Sequence, residues 1–322
     1  MASDLLYLSN AHVQELQITA REAQEAVLAG FRDNSLGRNV GRPKSAISIG
    51  PGSWFISMNA VSEAGGIGTV KMVAVASDQA HRTTSRVNGL VCVSDYKTGV
   101  PLAVMDGNSL TLIRTAAMSA IAAVYLAPEA PVTIGFVGCG QQALSHLDAF
   151  TDRFPSLRKI HLLSRNRRSA ETVAIAASEK RLEPIISEGP SALLSQSEIV
   201  VSTVPSSPGL TPFLDARLMP PSSFAAAVDG ARSWVSEGLS AFDRLVTDSL
   251  EQSKSPVDAS GQYVKSVRFQ DDLVHLASGS SRPDAPIRAL FAYQGFVIAD
   301  LALAELAIQK ARALRVGTIL PR

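Results

Sequence analysis

Three cationic residues stand where a cation is expensive. Lys71 interrupts the run Gly68-Thr-Val-Lys-Met-Val-Ala-Val-Ala76, Arg114 interrupts Leu110-Thr-Leu-Ile-Arg-Thr-Ala-Ala, and Arg42 opens Arg-Pro-Lys ahead of a β-rich stretch. An ammonium or guanidinium among Val, Met, Leu and Ile needs an anion if it is buried. Arginine meets a carboxylate through two parallel N–H donors. Read together, Arg42, Lys71 and Arg114 describe a pocket that clamps a small carboxylate. The competing readings are an alternating strand that turns Lys71 to solvent and an internal salt bridge that engages Arg114.

A second constellation can hold a dinucleotide. Residues 131–143 read Pro-Val-Thr-Ile-Gly-Phe-Val-Gly-Cys-Gly-Gln-Gln-Ala. Val132, Ile134 and Val137 suit a buried parallel strand. Gly138 permits a tight turn, Gly140 lets backbone approach a pyrophosphate, and Ala143 lets the next helix pack on the sheet. That helix, starting near Gln141 and Gln142, would point free N–H groups at the phosphates. A second strand, Ile160–Leu163, follows a helix over Ala143–Arg153 and completes a β-α-β unit. It ends Ser164-Arg165-Asn166-Arg167-Arg168, with a hydroxyl and three arginines but no acid. A carboxylate here would bind a ribose 2′-hydroxyl, whereas cations suit a 2′-phosphate. The expected cofactor is therefore NADP(H) in preference to NAD(H). The competing reading makes the arginines the solvated first turn of the next helix.

These residues must be positioned by a framework that the rest of the chain can build. The 322 residues suffice for one large or two ordinary domains. The composition is 46% hydrophobic with a net charge of +1, which gives no electrostatic bias toward nucleic acid or a membrane surface. Cys92 and Cys139 offer no disulfide framework and the histidines no ligand spacing. Neither a disulfide nor a metal is expected, and the expected location is a reducing cytoplasm. The first residues lack a basic region and a long apolar core, so no signal peptide is expected. No uninterrupted apolar stretch reaches spanning length.

Thr19–Asn34 reads as a helix capped by Thr19 with Glu22. Strands are expected over Leu5–Leu8, Ser45–Ile49, Ser53–Val61, Gly66–Ser77, Leu90–Asp95 and Pro101–Asp106, then an Ala-rich helix over Leu110–Leu126. From Val132 strand and helix alternate, with strands over Val132–Val137, Ile160–Leu163, Ile199–Ser202, Phe224–Val228 and Leu245–Thr247. Helices are expected over Ser169–Lys180, Ser191–Leu194 and Phe291–Leu314, and residues 250–286 as mainly loop with one short helix. The fold class is α/β: a Rossmann-type doubly wound parallel sheet plus an α+β antiparallel-sheet domain. Residues 1–118 with 298–322 would form the substrate-binding and dimerisation domain, and 119–297 the dinucleotide-binding domain.

The run from Leu110 to Ala127, Lys71, the segment Ser94-Asp-Tyr-Lys-Thr-Gly-Val-Pro-Leu-Ala103 and the turn Gly138-Cys-Gly-Gln-Gln-Ala143 together resemble the ornithine cyclodeaminase/mu-crystallin family. The resemblance implies that Arg42, Lys71 and Arg114 bind the substrate carboxylate, with Lys71 close to the reacting carbon. It implies that Thr115 and the segment Ser202-Thr203-Val204-Pro205 contact the cofactor, and that the chain forms a homodimer. Members of the family include cyclodeaminases, ketimine and Δ1-pyrroline-2-carboxylate reductases, alanine dehydrogenases and an opine-cleaving enzyme.

One departure separates these activities. Cyclodeaminases and the alanine dehydrogenases of this family carry an aspartate after the fifth strand of the parallel sheet, where this chain reads Ala227-Val-Asp-Gly-Ala231. Alignment on Ala227-Val228 places Ala231 at the aspartate position and a carboxylate two residues earlier, at Asp229. Asp229 is read either as a catalytic base that swings into the pocket or as a cap for the loop. Reduction of a preformed imine needs only a hydride, a carboxylate clamp and a proton donor. The expectation is an NAD(P)H-dependent reductase of a small cyclic α-imino acid. The alternatives are ornithine cyclodeamination with bound NAD, an opine-type dehydrogenase, or an NADPH- or ligand-binding protein without turnover.

Overall fold

A computed structural model describes residues 4–50, 53–76, 87–205, 207, 209–254, 267–280, 282–283 and 285–322. They divide into two compact units. The first comprises the described residues up to Arg114 together with Phe296–Arg322, and the second those from Thr115 to Gly295. The sequence reading set these boundaries at 118/119 and 297/298.

The first unit opens with β1 (Leu5–Leu8), α1 (Asn10–Glu15) and α2 (Ala20–Ser35). The expected cap of α2 is present: Thr19 Oγ1 accepts from the Glu22 N–H at 3.2 Å, and the Glu22 carboxylate accepts from the Thr19 N–H at 2.8 Å. Then come β2 (Asn39–Gly41), β3 (Ser45–Gly50), β4 (Ser53–Ser62), β5 (Ile67–Val75), β6 (Val87–Asp95) and β7 (Pro101–Asp106). Ser77, placed in a strand by the sequence, lies outside the described residues. Helix α3 (Asn108–Leu126) gives Arg114 to the first unit and Thr115 to the second. By length and composition alone α3 could cross a membrane, but most of it is buried, as in a core helix.

The second unit continues with β8 (Thr133–Val137), α4 (Gln141–Arg153), β9 (Lys159–Leu163), α5 (Arg167–Glu179), β10 (Glu183–Ile186), α6 (Pro190–Ser195), β11 (Ile199–Ser202), β12 (Ser223–Ala227) and β13 (Arg244–Thr247). Among the described residues of the polar stretch 250–286 lie α7 (Leu250–Ser253), β14 (Asp271–Asp272) and α8 (Leu273–Ala277), two short helices where one was expected. Residues 255–266, 281 and 284 of that stretch lie outside the described residues. Strand β15 (Arg288–Ala292) closes the unit. Helix α9 (Ile298–Leu314) and β16 (Thr318–Leu320) return to the first unit.

The first sheet has the order β16-β1-β7-β6-β5-β4-β2, with β3 paired to β4. It is antiparallel except for the parallel pair β1–β7, so it is mixed. Its central strand β5 alternates: Ile67, Thr69, Lys71 and Val73 face inward and Val70 faces outward. Helix α9 packs on α2, β4 and β5.

The second sheet is wholly parallel, in the order β10-β9-β8-β11-β12-β15-β13-β14. Its order reverses between β8 and β11, the switch point of a Rossmann-type sheet, where ligands bind at the carboxyl ends of the strands. The expected helix over Phe291–Leu314 is corrected by this sheet. Residues 288–292 form a buried strand between β12 and β13, and the helix begins only at Ile298. A short apolar run has no period that separates a buried strand from a buried helix.

Candidate active site

Lys71 lies on the inward face of β5, opposite Met58 of β4 and Val91 of β6. It is fully buried. Its Nζ donates to Asp300 Oδ1 at 2.5 Å and to Thr111 Oγ1 at 2.6 Å. Arg114 Nε lies 3.0 Å from the same Asp300 oxygen. Thr111 and Arg114 are three residues apart on α3 and so share a face. Asp300 occupies the first turn of α9, where a helix dipole favours a negative charge. Burial pushes the Lys71 ammonium down to about 8, with Asp300 opposing that shift and Arg114 adding to it.

The structure thus joins two of the three predicted cations. The alternating-strand reading of Lys71 is corrected, because parity places it on the covered face. The internal ion pair considered for Arg114 is present, and it includes Lys71 as well. Arg42 does not join this cluster: it is exposed, and its main-chain N–H donates to Asn59 O at 3.2 Å. Asp300 was missed, although its signal was the one that marked Lys71 and Arg114. It is a lone charge in an apolar run, Phe296-Val-Ile-Ala-Asp-Leu-Ala-Leu-Ala304.

In the second unit, Gly138 ends β8 with φ +90°, and its N–H donates to Leu163 O at 2.8 Å. A Cβ on Gly138 would stand 2.9 Å from Thr203 Oγ1 and 3.1 Å from Thr203 O. Thr203 donates from its N–H to Val137 O at 2.8 Å and from Oγ1 to Gly138 O at 2.9 Å. The carboxyl ends of β8, β9 and β11 are therefore tied into one turn at the switch point. Val204 packs onto the apolar cluster that includes Val137, Leu214 and Trp234.

Gly140 caps α4 with extended backbone and no side-chain hydrogen bond, and a Cβ there would meet nothing within 4 Å. Gln141 is exposed, and Gln142 Oε1 is buried with no hydrogen-bond partner among the described residues. Open space before a bare helix N-terminus, whose first N–H groups lack a side-chain cap, fits a pyrophosphate. Thr115, the first residue of this unit, is buried, with Oγ1 3.3 Å from the Tyr293 hydroxyl at the end of β15. Tyr293 was not foreseen, because it lay within the helix expected over Phe291–Leu314.

At the end of β9, Ser164 Oγ accepts from the Asn166 N–H at 3.2 Å, and Asn166 caps α5 by accepting from the Ser169 N–H at 3.4 Å. Arg167 pairs with Glu171 at 3.0 Å on the exposed face of α5. Asn166 and Arg167 therefore serve the first turn of the helix. Arg165 is exposed and makes no ion pair among the described residues.

Asp229 follows β12, two residues beyond its last residue. It is buried, its Oδ1 accepts from Ser202 Oγ at 3.0 Å and from the Ala231 N–H at 3.1 Å, and its Oδ2 accepts from Ser233 Oγ at 2.5 Å. Trp234 Nε1 donates to the same Ser202 hydroxyl at 3.0 Å. Burial raises the Asp229 carboxyl above its ordinary range, against these hydrogen bonds. These contacts are those of the capping alternative: the side chain organises the turn after β12. Ala231 has φ +63° and sits in the apolar cluster with Leu214 and Trp234.

The model of the ornithine cyclodeaminase/mu-crystallin family matches residues 4–313. The chain is 25% identical over 261 residues to the Δ1-pyrroline-2-carboxylate reductase of Bacillus cereus, covering 77% of this chain and 78% of that protein. It is 33% identical over 151 residues to the ketimine reductase mu-crystallin of Rattus norvegicus, covering 47% of this chain and 48% of that protein. Among solved structures, an archaeal alanine dehydrogenase dimer with bound NAD superposes with a TM-score of 0.87 at 25% identity, covering 99% of both chains.

Proposed function

The chain belongs to the ornithine cyclodeaminase/mu-crystallin family, and from that premise we propose that it is an NAD(P)-dependent oxidoreductase that reduces a small cyclic α-imino acid. The substrates are Δ1-pyrroline-2-carboxylate or Δ1-piperideine-2-carboxylate, and the products L-proline or L-pipecolate. The observation that carries this reading is the buried centre in which Lys71 and Arg114 converge on Asp300. The centre brings two cations together, and Arg114 supplies the N–H donors suited to a carboxylate. Arg42 adds an outer positive charge that attracts it. Lys71 supplies the proton that the imine nitrogen takes up. Its displacement toward about 8 keeps an ammonium at neutral pH that gives up its proton more readily than an ordinary lysine.

Gly138, Gly140, Gln141, Gln142, Thr203 and Val204 hold the dinucleotide, with Thr115 as a further contact. When bound, the reduced nicotinamide supplies the hydride. Ser164 and Arg165 favour NADP(H), because the end of β9 offers a 2′-phosphate a free guanidinium and no carboxylate. The names of the relatives support a reductase. The engagement of Asp229 in its turn weighs against a cyclodeaminase, which needs a base for water or an amine.

We further place the enzyme in the cytoplasm, which suits its unpaired Cys92 and Cys139, and read it as a homodimer. The outer face of the first sheet exposes Ile47, Phe55, Val70 and Leu90 on neighbouring strands, a patch that a second copy would cover.

The test is oxidation of NADPH and NADH with each imine, with L-ornithine plus NAD+ run in parallel. Imine-dependent oxidation, faster with NADPH, is expected. Proline formed from ornithine without net change in NAD+ would replace this reading with cyclodeamination.

A further inference from the structure

The carboxylate that answers Lys71 does more than balance charge. Asp300 offers a single oxygen to both cations, 2.5 Å from Lys71 Nζ and 3.0 Å from Arg114 Nε, while its Oδ2 has no hydrogen-bond partner among the described residues. All three side chains are at least nine-tenths buried. Such a cluster is a poor way to stabilise a fold, because apolar side chains of similar volume often do as well or better. It is a good way to hold two cations in one fixed arrangement.

We propose that Asp300 is a positioning residue: through Oδ1 it fixes the Lys71 ammonium and the Arg114 guanidinium as one unit that receives the substrate carboxylate and delivers a proton to the substrate nitrogen. This rests on the reading of the chain as an imine reductase. In the step it serves, the imine carbon gains a C–H bond from the hydride of the reduced nicotinamide. The π pair of C=N moves to nitrogen, which takes a proton from Lys71 Nζ, leaving a neutral amine that solvent reprotonates. The charged groups facing Lys71 among the described residues are Asp300 from α9 and Arg114 from α3. Burial and Arg114 both favour the neutral amine, and only Asp300 favours the ammonium. Thr111 holds Nζ in place without charge. Removing the Asp300 charge therefore leaves Lys71 in place but neutral at a lower pH.

The experiment compares wild type, Asp300→Asn and Asp300→Glu by two readouts: the pH profile of imine reduction, and the titration of Lys71 followed by the NMR shift of its 13C-labelled Cε. Asp300→Asn should move the alkaline fall of kcat/KM, and the Lys71 midpoint, to lower pH by about one unit or more. At pH 8 kcat should fall about five-fold or more, because the protonated fraction of Lys71 falls from about one half to about one eleventh, with the dinucleotide Kd within about two-fold of wild type. Asp300→Glu should restore the wild-type midpoint. A folded Asp300→Asn with an unmoved Lys71 midpoint overturns the proposal. If Asp300→Asn does not fold, Asp300→Glu decides. A wild-type midpoint with at least about a tenth of kcat supports the assignment, and a shifted midpoint or lost turnover in the folded protein overturns it. Because the NMR titration needs no turnover, a protein that reduces no imine refutes the substrate reading while the charge coupling is still measured.

Discussion

Replacing Gly140 by alanine separates dinucleotide binding from folding. Gly140 has φ −94° and ψ −163°, which alanine adopts without strain, and its Cβ would meet nothing within 4 Å. The folded protein should gain about 0.4–1 kcal/mol, because the unfolded chain loses freedom. The same methyl would stand in the space before α4 that a pyrophosphate must enter. Loss of one charge-assisted hydrogen bond to a first-turn N–H costs about 1.5–3 kcal/mol. The Kd for NADPH should therefore rise about ten- to 100-fold. Gly138→Ala is the contrasting control. There φ is +90° and the added Cβ lies 2.9 Å from Thr203 Oγ1. Strain of about 1–2 kcal/mol and overpacking of about 1–3 kcal/mol should lower stability by about 2–5 kcal/mol. Nicotinamide fluorescence titration gives Kd, and urea unfolding gives stability. A stable Gly140→Ala protein with wild-type NADPH affinity would refute the placement of the pyrophosphate at α4.

Three further outcomes are expected. Ser164→Asp puts a carboxylate at the end of β9, where it repels a 2′-phosphate and accepts from ribose hydroxyls. The ratio of kcat/KM for NADPH over NADH should fall by about ten-fold or more. Asp229→Asn replaces one acceptor oxygen by a donor facing hydroxyl or N–H donors, so urea unfolding should show a loss of about 1–3 kcal/mol. Imine turnover per folded molecule should persist, and its loss in a stable variant would return Asp229 to the role of base. His146 is buried, with Nδ1 2.7 Å from Gln142 O and Nε2 3.0 Å from Ser119 Oγ, and burial lowers its pKa from 6.5 to about 4. The unfolded chain binds the proton more readily between those values, so His146 costs stability as pH falls from 6.5 toward 4, by up to about 3 kcal/mol. The wild type should lose more stability than His146→Gln between pH 6.5 and 4.5, and equal losses would exclude this origin.

What the sequence made legible followed the range of each signal. The Gly138–Ala143 turn and the capped helix α2 are local, set by residues a few positions apart, and both stand where their patterns placed them. The end of strand β15 was misread because Ala289–Ala292 is apolar throughout and runs toward the apolar helix α9, and only its neighbours β12 and β13 make it a strand. The short β2, β10 and β16 lack a run long enough to show alternation, and their pairing partners define them.

The site shows the same division more sharply. Lys71 and Arg114 stand out as charges in apolar surroundings, which says that each needs an anion but not which one. Asp300, 229 residues from Lys71, bears the same mark. An isolated buried charge is half of a pair, so the unexplained charges of one chain are to be matched with each other before a ligand is invoked. Here Lys71 and Arg114 meet one Asp300 oxygen. Asp229 is the converse case. It lies where its spacing suggested a catalytic acid or base, yet Ser202, Ser233 and the Ala231 N–H take up its oxygens. The spacing of a carboxylate shows that chemistry is possible. Whether its lone pairs are already engaged decides whether that chemistry can occur.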